Sequence, residues 1–309
     1  MKNILIIGSN GLVGSALVRI GLEKNYNIIM HTRVDCDLSN HDETIYYILK
    51  QKKEHNIDTI IHCAAEVGGV LKNTLYPQKM FHNNLNINNN IIEAAFNVKI
   101  ENFVNILSTC IFPNNANYPL TSDQVYNGEP HSSAFGYALA KRLSYQTVQS
   151  YRKIFNMNWI NIVPNNIYGI NDNFNFEDSH VLPALIRKAH NAKLLNEDFI
   201  IWGTGEIYRQ FIFSDDLANL ILWAIDNWKS DEMFMAVDPI EYSINDLSLK
   251  IARKFGINEN KIKHDLSKPN GITRMTASSD AKWYSFTPIE EGLDKTIEWY
   301  IENFDNIRK

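Results

Sequence analysis

The chain opens on four consecutive apolar residues, Ile4-Leu5-Ile6-Ile7, halted by Gly8. Similar short runs recur along the first half, separated by longer stretches in which apolar residues return every three or four positions. Short runs bounded by turn residues read as strands, and the 3.6-residue period reads as amphipathic helix. This pattern predicts strands over 3–7, 26–31, 59–63, 103–107 and 159–163, with helices near 12–24, 41–55, 79–97 and 135–155. Strand alternating with helix is the signature of a parallel sheet covered on both faces. After about residue 165 the pattern loosens. A polar stretch over 171–178 precedes a helix near 180–192, a strand near 198–202 and helices at 215–228 and 243–255. The expected organisation is a first domain over residues 1–165 and a smaller lobe over 166–309, interwoven with it.

Composition narrows the picture. The 309 residues are 45% hydrophobic and 21% charged, close to the globular average, which excludes a disordered chain, a collagen or a coiled-coil rod. Thirty basic residues against 35 acidic give a net charge of −5. That balance argues against a nucleic-acid partner, although it leaves room for a local basic pocket. Cys36, Cys63 and Cys110 form neither a CxxC pair nor an even framework. A disulfide scaffold and a metal site are therefore not expected, and a reducing cytosol fits. No apolar run approaches the roughly 18–20 residues that span a bilayer, so the expectation is a cytoplasmic protein with no membrane partner. Asparagine is frequent, as in Asn88-Asn89-Asn90, and is read as a matter of genome base composition.

Two local patterns carry chemistry. The first strand runs into Gly8-Ser9-Asn10-Gly11-Leu12-Val13-Gly14, followed by a helix-period stretch. The Gly-x-x-Gly-x-x-Gly spacing gives a tight turn, a close approach of backbone to a pyrophosphate, and close helix–strand packing, with the phosphates at the helix N-terminus. Arg33, just past the second strand, is placed to read the 2′-phosphate of NADP, where an acidic residue would favour NAD. Asp37 is placed near the adenine amino group. The second pattern is Tyr137-Ala138-Leu139-Ala140-Lys141, at the start of a long predicted helix. At i and i+4 the two side chains share a face, where an ammonium would lower the phenol pKa. With fourteen tyrosines about one Tyr-x-x-x-Lys is expected by chance, and Tyr46/Lys50 is a second. Only Tyr137 follows a strand ending at Leu107-Ser108, whose hydroxyl can meet the phenol at the sheet's carboxyl edge. Tyr46 is read as a surface residue.

With these residues in place the chain resembles the extended short-chain dehydrogenases/reductases over almost its whole length. Within them it is similar to the epimerase-reductases of GDP-4-keto-6-deoxy sugars. The stretches that carry the resemblance are the glycine turn, His62-Cys63-Ala64-Ala65-Glu66-Val67-Gly68-Gly69, Leu107-Ser108-Thr109-Cys110-Ile111-Phe112-Pro113, and Phe135 to Arg142. Further on come Asp172-Asn173-Phe174, His180-Val181-Leu182-Pro183-Ala184-Leu185-Ile186, Trp202-Gly203-Thr204-Gly205 and Arg209-Gln210-Phe211. The glycine turn and Tyr-x-x-x-Lys belong to the whole superfamily, and the segments around Cys110 and His180 are far more specific.

The resemblance implies an α/β fold, a Rossmann-type doubly wound parallel sheet with a smaller C-terminal α/β substrate lobe. It implies that NADPH delivers hydride to the C4 ketone of a GDP-linked sugar. Tyr137 would protonate the forming alkoxide, Lys141 would hold the cofactor ribose, and Ser108 would bond the substrate oxygen. Cys110 and His180 map onto the pair that inverts C3 and C5. Ala64 and Ala65 join the cofactor residues. Asn166, Lys188, Arg209 and Arg274 would face the substrate, Arg209 as the diphosphate clamp. Trp202 is either a ring packed near the nucleotide or a buried structural one. A homodimer joined through a helical face is the family expectation.

The chain also departs from the family. Two consecutive basic residues, the second a lysine, commonly follow the Gly271 loop, but here the pair is Arg274-Met275. Arg187-Lys188 stands where some members have Arg-Arg, and the segment 118–130 looks closer to the animal form than the bacterial one. The exact sugar is thereby opened. The alternatives are a reductase acting on a GDP-4-keto heptose without epimerisation, and a non-catalytic NADP-binding sensor, which would need none of Ser108, Tyr137 and Lys141.

Overall fold

The computed structural model describes residues 2–176, 178–268 and 274–307. The first half runs β1 (Asn3–Ile7), α1 (Leu12–Glu23), β2 (Asn27–His31), α2 (His41–His55), β3 (Thr59–His62), α3 (Val70–Leu75), α4 (Pro77–Asn97), β4 (Asn102–Ile106), α5 (Phe135–Phe155) and β5 (Asn158–Pro164). The second half runs β6 (Asn166–Tyr168), α6 (Val181–Leu195), β7 (Phe199–Trp202), β8 (Tyr208–Phe213), α7 (Ser214–Asn227), β9 (Phe234–Ala236), β10 (Glu241–Ser243), α8 (Ile244–Lys254), β11 (Ile262–Asp265), β12 (Arg274–Met275) and α9 (Ile289–Glu302).

A parallel sheet in the order β2-β1-β3-β4-β5-β9 forms the larger layer. Its central strands β1, β3, β4 and β5 are buried on both faces because helices cover both, while the edge strand β2 is partly exposed. Ile4 and Ile6 of β1 pack with Ala16 and Leu17 of α1 and Leu217 and Ile221 of α7. The alternate residues Leu5 and Ile7 pack the other way, with Ile48 of α2, Ile91 of α4 and Val148 of α5. Successive strand residues point to opposite faces, so an unbroken apolar run is what this doubly covered position requires. Each buried Leu or Ile of these strands contributes on the order of 1.5–3 kcal/mol of transfer free energy.

The order β2-β1-β3 reverses the winding direction at β1, and the crevice beyond the strand carboxyl ends at such a point is where open α/β sheets bind ligands. Gly8, at the end of β1, lies in that crevice.

The smaller layer packs α6, α8 and α9 with β8 around Tyr168, Phe174, Leu185, Phe211, Phe213 and Leu293. Its strands form the sheet β10-β8-β12, with β6 on β8, and the pair β7-β11. The two layers exchange segments. β8 leads directly into α7, which packs on the large sheet, and β9 closes that sheet against β5. Residues 214–236 therefore belong to the first layer in space, although they follow residue 165 in the chain. The strands β6, β8, β9, β10, β11 and β12 and the helices α3 and α9 lie outside the elements expected from the sequence.

Candidate functional site

The phosphate turn is built by backbone. Gly8 takes a φ of +82°, which L side chains rarely adopt, and the Gly11 amide donates to Gly8 O at 3.0 Å. A Cβ on Gly14 would lie 2.2 Å from Gly8 O, and one on Gly8 would lie 2.9 Å from the Ala64 backbone. The β3 loop carrying Ala64 and Ala65 thus crosses directly over the turn. Ser9 Oγ donates to His31 O at 2.9 Å, tying the turn to the end of β2. Helix α1 starts at Leu12 with no side-chain cap, so the amides of Leu12, Val13 and Gly14 face the crevice without a protein side chain competing for them. An anionic pyrophosphate fits this cradle.

Arg33 follows β2 and is exposed. Asp37 is exposed as well. Its Oδ1 accepts from the amide and hydroxyl of Ser39 at 3.0 and 2.7 Å, and those bonds hold its carboxyl below the usual range, with a smaller contribution from Arg33.

Beyond β4 the chain turns through a short 3-10 turn, and Ser108 Oγ accepts from the Cys110 amide at 3.3 Å. Helix α5 brings Tyr137 and Lys141 to the same place. Lys141 is buried and its Nζ donates to Ile106 O at 2.8 Å. Burial pushes its pKa down to about 8. Burial also raises the Tyr137 phenol, and the neighbouring Cys110 adds to that shift. The lowering of the phenol by Lys141 expected from the sequence is therefore corrected. Here Lys141 serves a backbone carbonyl, desolvation governs Tyr137, and the phenol keeps its proton. The Cys110 thiol is pushed up to about 11 by burial, against the opposing Ser108 hydrogen bond.

His180 ends the segment before α6, at the helix N-cap. It is exposed, yet protein mass surrounds it as in a cleft. Desolvation lowers its pKa and Asp178 opposes that.

Among the residues expected to face a substrate, Asn166 Nδ2 donates to Gln210 O at 2.8 Å. Trp202 is 54% exposed, so it is not a core residue. Lys188 Nζ sits 4.1 Å from its ring centroid and Lys268 Nζ 5.4 Å. Burial brings Lys188 down to about 8, with Asp265 opposing and Lys268 adding. Arg209 donates to Tyr208 O at 2.7 Å. Register pairs Arg209 with Met275 on β12 and with Tyr242 on β10, so these three share a face of the sheet. Arg274 and Glu241 pair with Tyr208 and Gln210 and lie on the other face, where Arg274 forks onto Glu241 at 2.6 and 2.7 Å. The structure thus brings Met275, not Arg274, beside Arg209. The Gly271 loop lies outside the described residues. Tyr46 is 70% exposed on α2, as a surface residue.

Several supporting residues were not expected. Asn84 and Asn88, one turn apart on α4, are buried and bonded. Asn84 takes the Glu66 amide at 2.9 Å and donates to Glu66 O at 2.9 Å, which fixes the β3 loop. Asn88 joins His62 Nε2 at 2.9 Å to Ala140 O at 3.3 Å, beneath the Tyr137–Lys141 turn. Asn90 donates to Leu38 O at 3.0 Å. Base composition does not explain these three asparagines. For Asn84 and Asn88 the available signal was the four-residue spacing that puts both on the face of α4 carrying Met80 and Ile91. Arg142 is a further one. Its guanidinium donates to Ile111 O and, at 2.9 Å, to Gly128 O, pinning the turn that carries Cys110.

The sequence pattern of the NAD dependent epimerase/dehydratase family matches residues 4–236. Over the full chain the protein is 34% identical to the GDP-L-fucose synthase of Dictyostelium discoideum, covering 98% of that protein. A GDP-L-fucose synthetase from Naegleria fowleri, solved bound to NADP, superposes with a TM-score of 0.90 at 30% identity, covering 100% of this chain and 96% of that one. A GDP-D-glycero-L-gluco-heptose synthase from Campylobacter jejuni gives a TM-score of 0.88 at 26% identity, covering 97% and 98%. On this likeness, and with the glycine cradle and the Tyr137–Lys141 turn at its sheet edge, the chain belongs to the NAD dependent epimerase/dehydratase family, alongside the GDP-L-fucose synthases.

Proposed function

We propose that the protein is an NADPH-dependent reductase of a GDP-linked 4-keto-6-deoxy sugar that also inverts C3 and C5. The observation that carries this reading is the meeting of Tyr137, Lys141, Ser108 and Cys110 at the carboxyl edge of the sheet, beside the glycine cradle.

Gly8, Gly11, Leu12, Val13 and Gly14 would hold the pyrophosphate, with Asn10 at the tip of the turn and Ala64 and Ala65 alongside. Arg33 would take the 2′-phosphate, with Asp37 toward the adenine. When bound, NADPH supplies the hydride for the C4 ketone. Tyr137 holds the proton that the forming C4 alkoxide needs, and its raised pKa keeps that proton in place beforehand. Ser108 donates a hydrogen bond to the same oxygen, which stabilises charge as it develops. Lys141, about 8 in the resting site, gains from any anionic oxygen brought near it and favours the charged state of the reaction.

Inversion needs a proton taken from one face of a carbon next to the ketone and returned on the other. In the resting site burial keeps the proton on the Cys110 thiol and disfavours the charged form of the His180 imidazole. They are the two halves of an acid/base pair. Arg209 clamps the diphosphate, Asn166 and Lys188 contact the sugar nucleotide, and Trp202 offers an exposed face to its base. In this division residues 1–165 supply the cofactor cradle and the reducing groups, and residues after 165, apart from the 214–236 segment that packs on the large sheet, supply the further substrate contacts.

One observation favours a second reading, reduction of a GDP-4-keto heptose without inversion. Met275 replaces a cation beside Arg209 and packs against the Leu120, Val125 and Met235 cluster, which changes what that wall can accept. Supplying both keto sugars with NADPH tests the pair of readings. We expect a kcat/KM at least tenfold higher for the 6-deoxyhexose, about 1.4 kcal/mol in transition-state binding. A preference for the heptose supports the second reading.

The three cysteines are free thiols and suit a cytoplasmic setting. Leu143 and Ile154, three turns apart on one face of α5, are exposed, which supports a homodimer joined through that face. No helix among the described residues is long and apolar enough to cross a membrane.

A further inference from the structure

The segment between β6 and α6 ends at His180 and is fastened to both loops assigned to the cofactor. Asn171 Nδ2 donates to Asn10 O in the phosphate turn at 3.0 Å. At the other end Asp178 Oδ1 accepts the Gly69 amide, in the loop after β3, at 3.0 Å. The same carboxylate lies 3.8 Å from Lys72 Nζ, which is 3.5 Å from Glu66, and Glu66 is in turn 3.8 Å from Lys79. The contact is close. A Cβ on Gly68 would lie 2.7 Å from Asp178 Oδ1.

Such partly exposed ion pairs contribute little stability, typically about 0–1 kcal/mol. Their consequence is geometric. Only Ser179 separates Asp178 from His180, so what fixes the carboxylate restrains the backbone that carries the imidazole. Transfer of a carbon-bound proton depends steeply on placement. Tyr137 and Ser108 stand on other elements, at the start of α5 and after β4, and the Asp178 carboxylate bonds to neither segment.

We propose that Asp178 is a positioning residue for proton exchange. By fastening the His180 segment to Gly69 and Lys72 it holds His180 in register with the substrate carbons, and it takes no part in hydride transfer. This rests on the reading of His180 as an acid/base group given above.

The test uses enzyme loaded with NADP⁺ and the GDP-4-keto-6-deoxy sugar in D₂O, with no hydride donor, and follows deuterium uptake at C3 and C5 by NMR. NADPH oxidation is measured separately, and urea unfolding reports folding. In Asp178→Ala we expect exchange to fall on the order of 10–10²-fold, at least tenfold more than NADPH oxidation falls. Asp178→Asn keeps an oxygen that can accept the Gly69 amide and should recover part of the exchange. Unchanged exchange in the alanine variant overturns the proposal, and so do equal losses of exchange and NADPH oxidation. Wild type that exchanges nothing sinks the reading of His180 itself, and the positioning role with it.

Discussion

Replacing Tyr137 by Phe removes one oxygen and the only proton that side chain can give. Because the ring stays, packing and NADPH affinity should be preserved while turnover drops on the order of 10²-fold or more. Steady-state NADPH oxidation together with a cofactor titration checks this, and near-normal turnover would remove Tyr137 from the mechanism. Lys141 makes a separate prediction about stability. Its pKa is about 8 in the fold against 10.5 for the free side chain. Between those values the unfolded chain binds a proton that the folded chain has released, so stability rises with pH across that window. The destabilising contribution is fully present below pH 8. Relative to Lys141→Met, the wild type should therefore gain on the order of a few kcal/mol between pH 7.5 and 10. Urea unfolding at both pH values measures the difference, and a constant difference contradicts it. Arg33→Ala should weaken NADPH by about 1.5–3 kcal/mol and leave NADH nearly untouched. Equal losses for both cofactors would show that Arg33 does not read the 2′-phosphate.

At the scale of elements, what the sequence shows depends on length. Strands β1 and β3 to β5 are apolar on both sides and long enough to be recognised, and α2 and α5 begin and end where the periodicity does. Strands β6, β10 and β12 have two or three residues each, too few for any period to appear. Those strands decide which way the substrate-side residues face. Arg274 looked like the retained half of a basic pair, yet β12 turns it toward Glu241 and turns Met275 toward Arg209. We therefore expect Arg209→Ala to raise KM for the nucleotide sugar at least tenfold, as loss of a charge-assisted contact of about 1.5–3 kcal/mol implies. Arg274→Ala should change KM by less than about threefold, since its exposed guanidinium is turned onto Glu241 and away from the face that carries Arg209. Comparable KM increases in both variants would contradict the register argument. Helix α4 shows the opposite failure. Its asparagines were visible as residues, but their function depends on what lies opposite them. Asn84 and Asn88 meet the β3 loop and α5 only once the sheet has brought those segments together.

At the scale of the whole molecule, the cofactor half was legible because its chemistry is local. Gly8 to Gly14 lie within seven residues, and one turn of helix joins Tyr137 to Lys141. The substrate half was less so, because its groups are drawn from 107–142, 166–209 and 274–275 and meet only through the exchange of segments between layers. Cys110 and His180, 70 positions apart in sequence, were recognised through the family resemblance and not through any spacing. Their role separates an epimerase-reductase from a plain reductase, and one measurement decides it. The GDP-4-keto-6-deoxy sugar is turned over with NADPH in D₂O, and the product is examined by NMR. Hydride transfer together with solvent deuterium at C3 and C5, and inverted configuration at both carbons, is the result expected here. A product reduced at C4 but unlabelled and uninverted would contradict the assignment of Cys110 and His180, and no NADPH oxidation with either keto sugar would contradict the function as a whole.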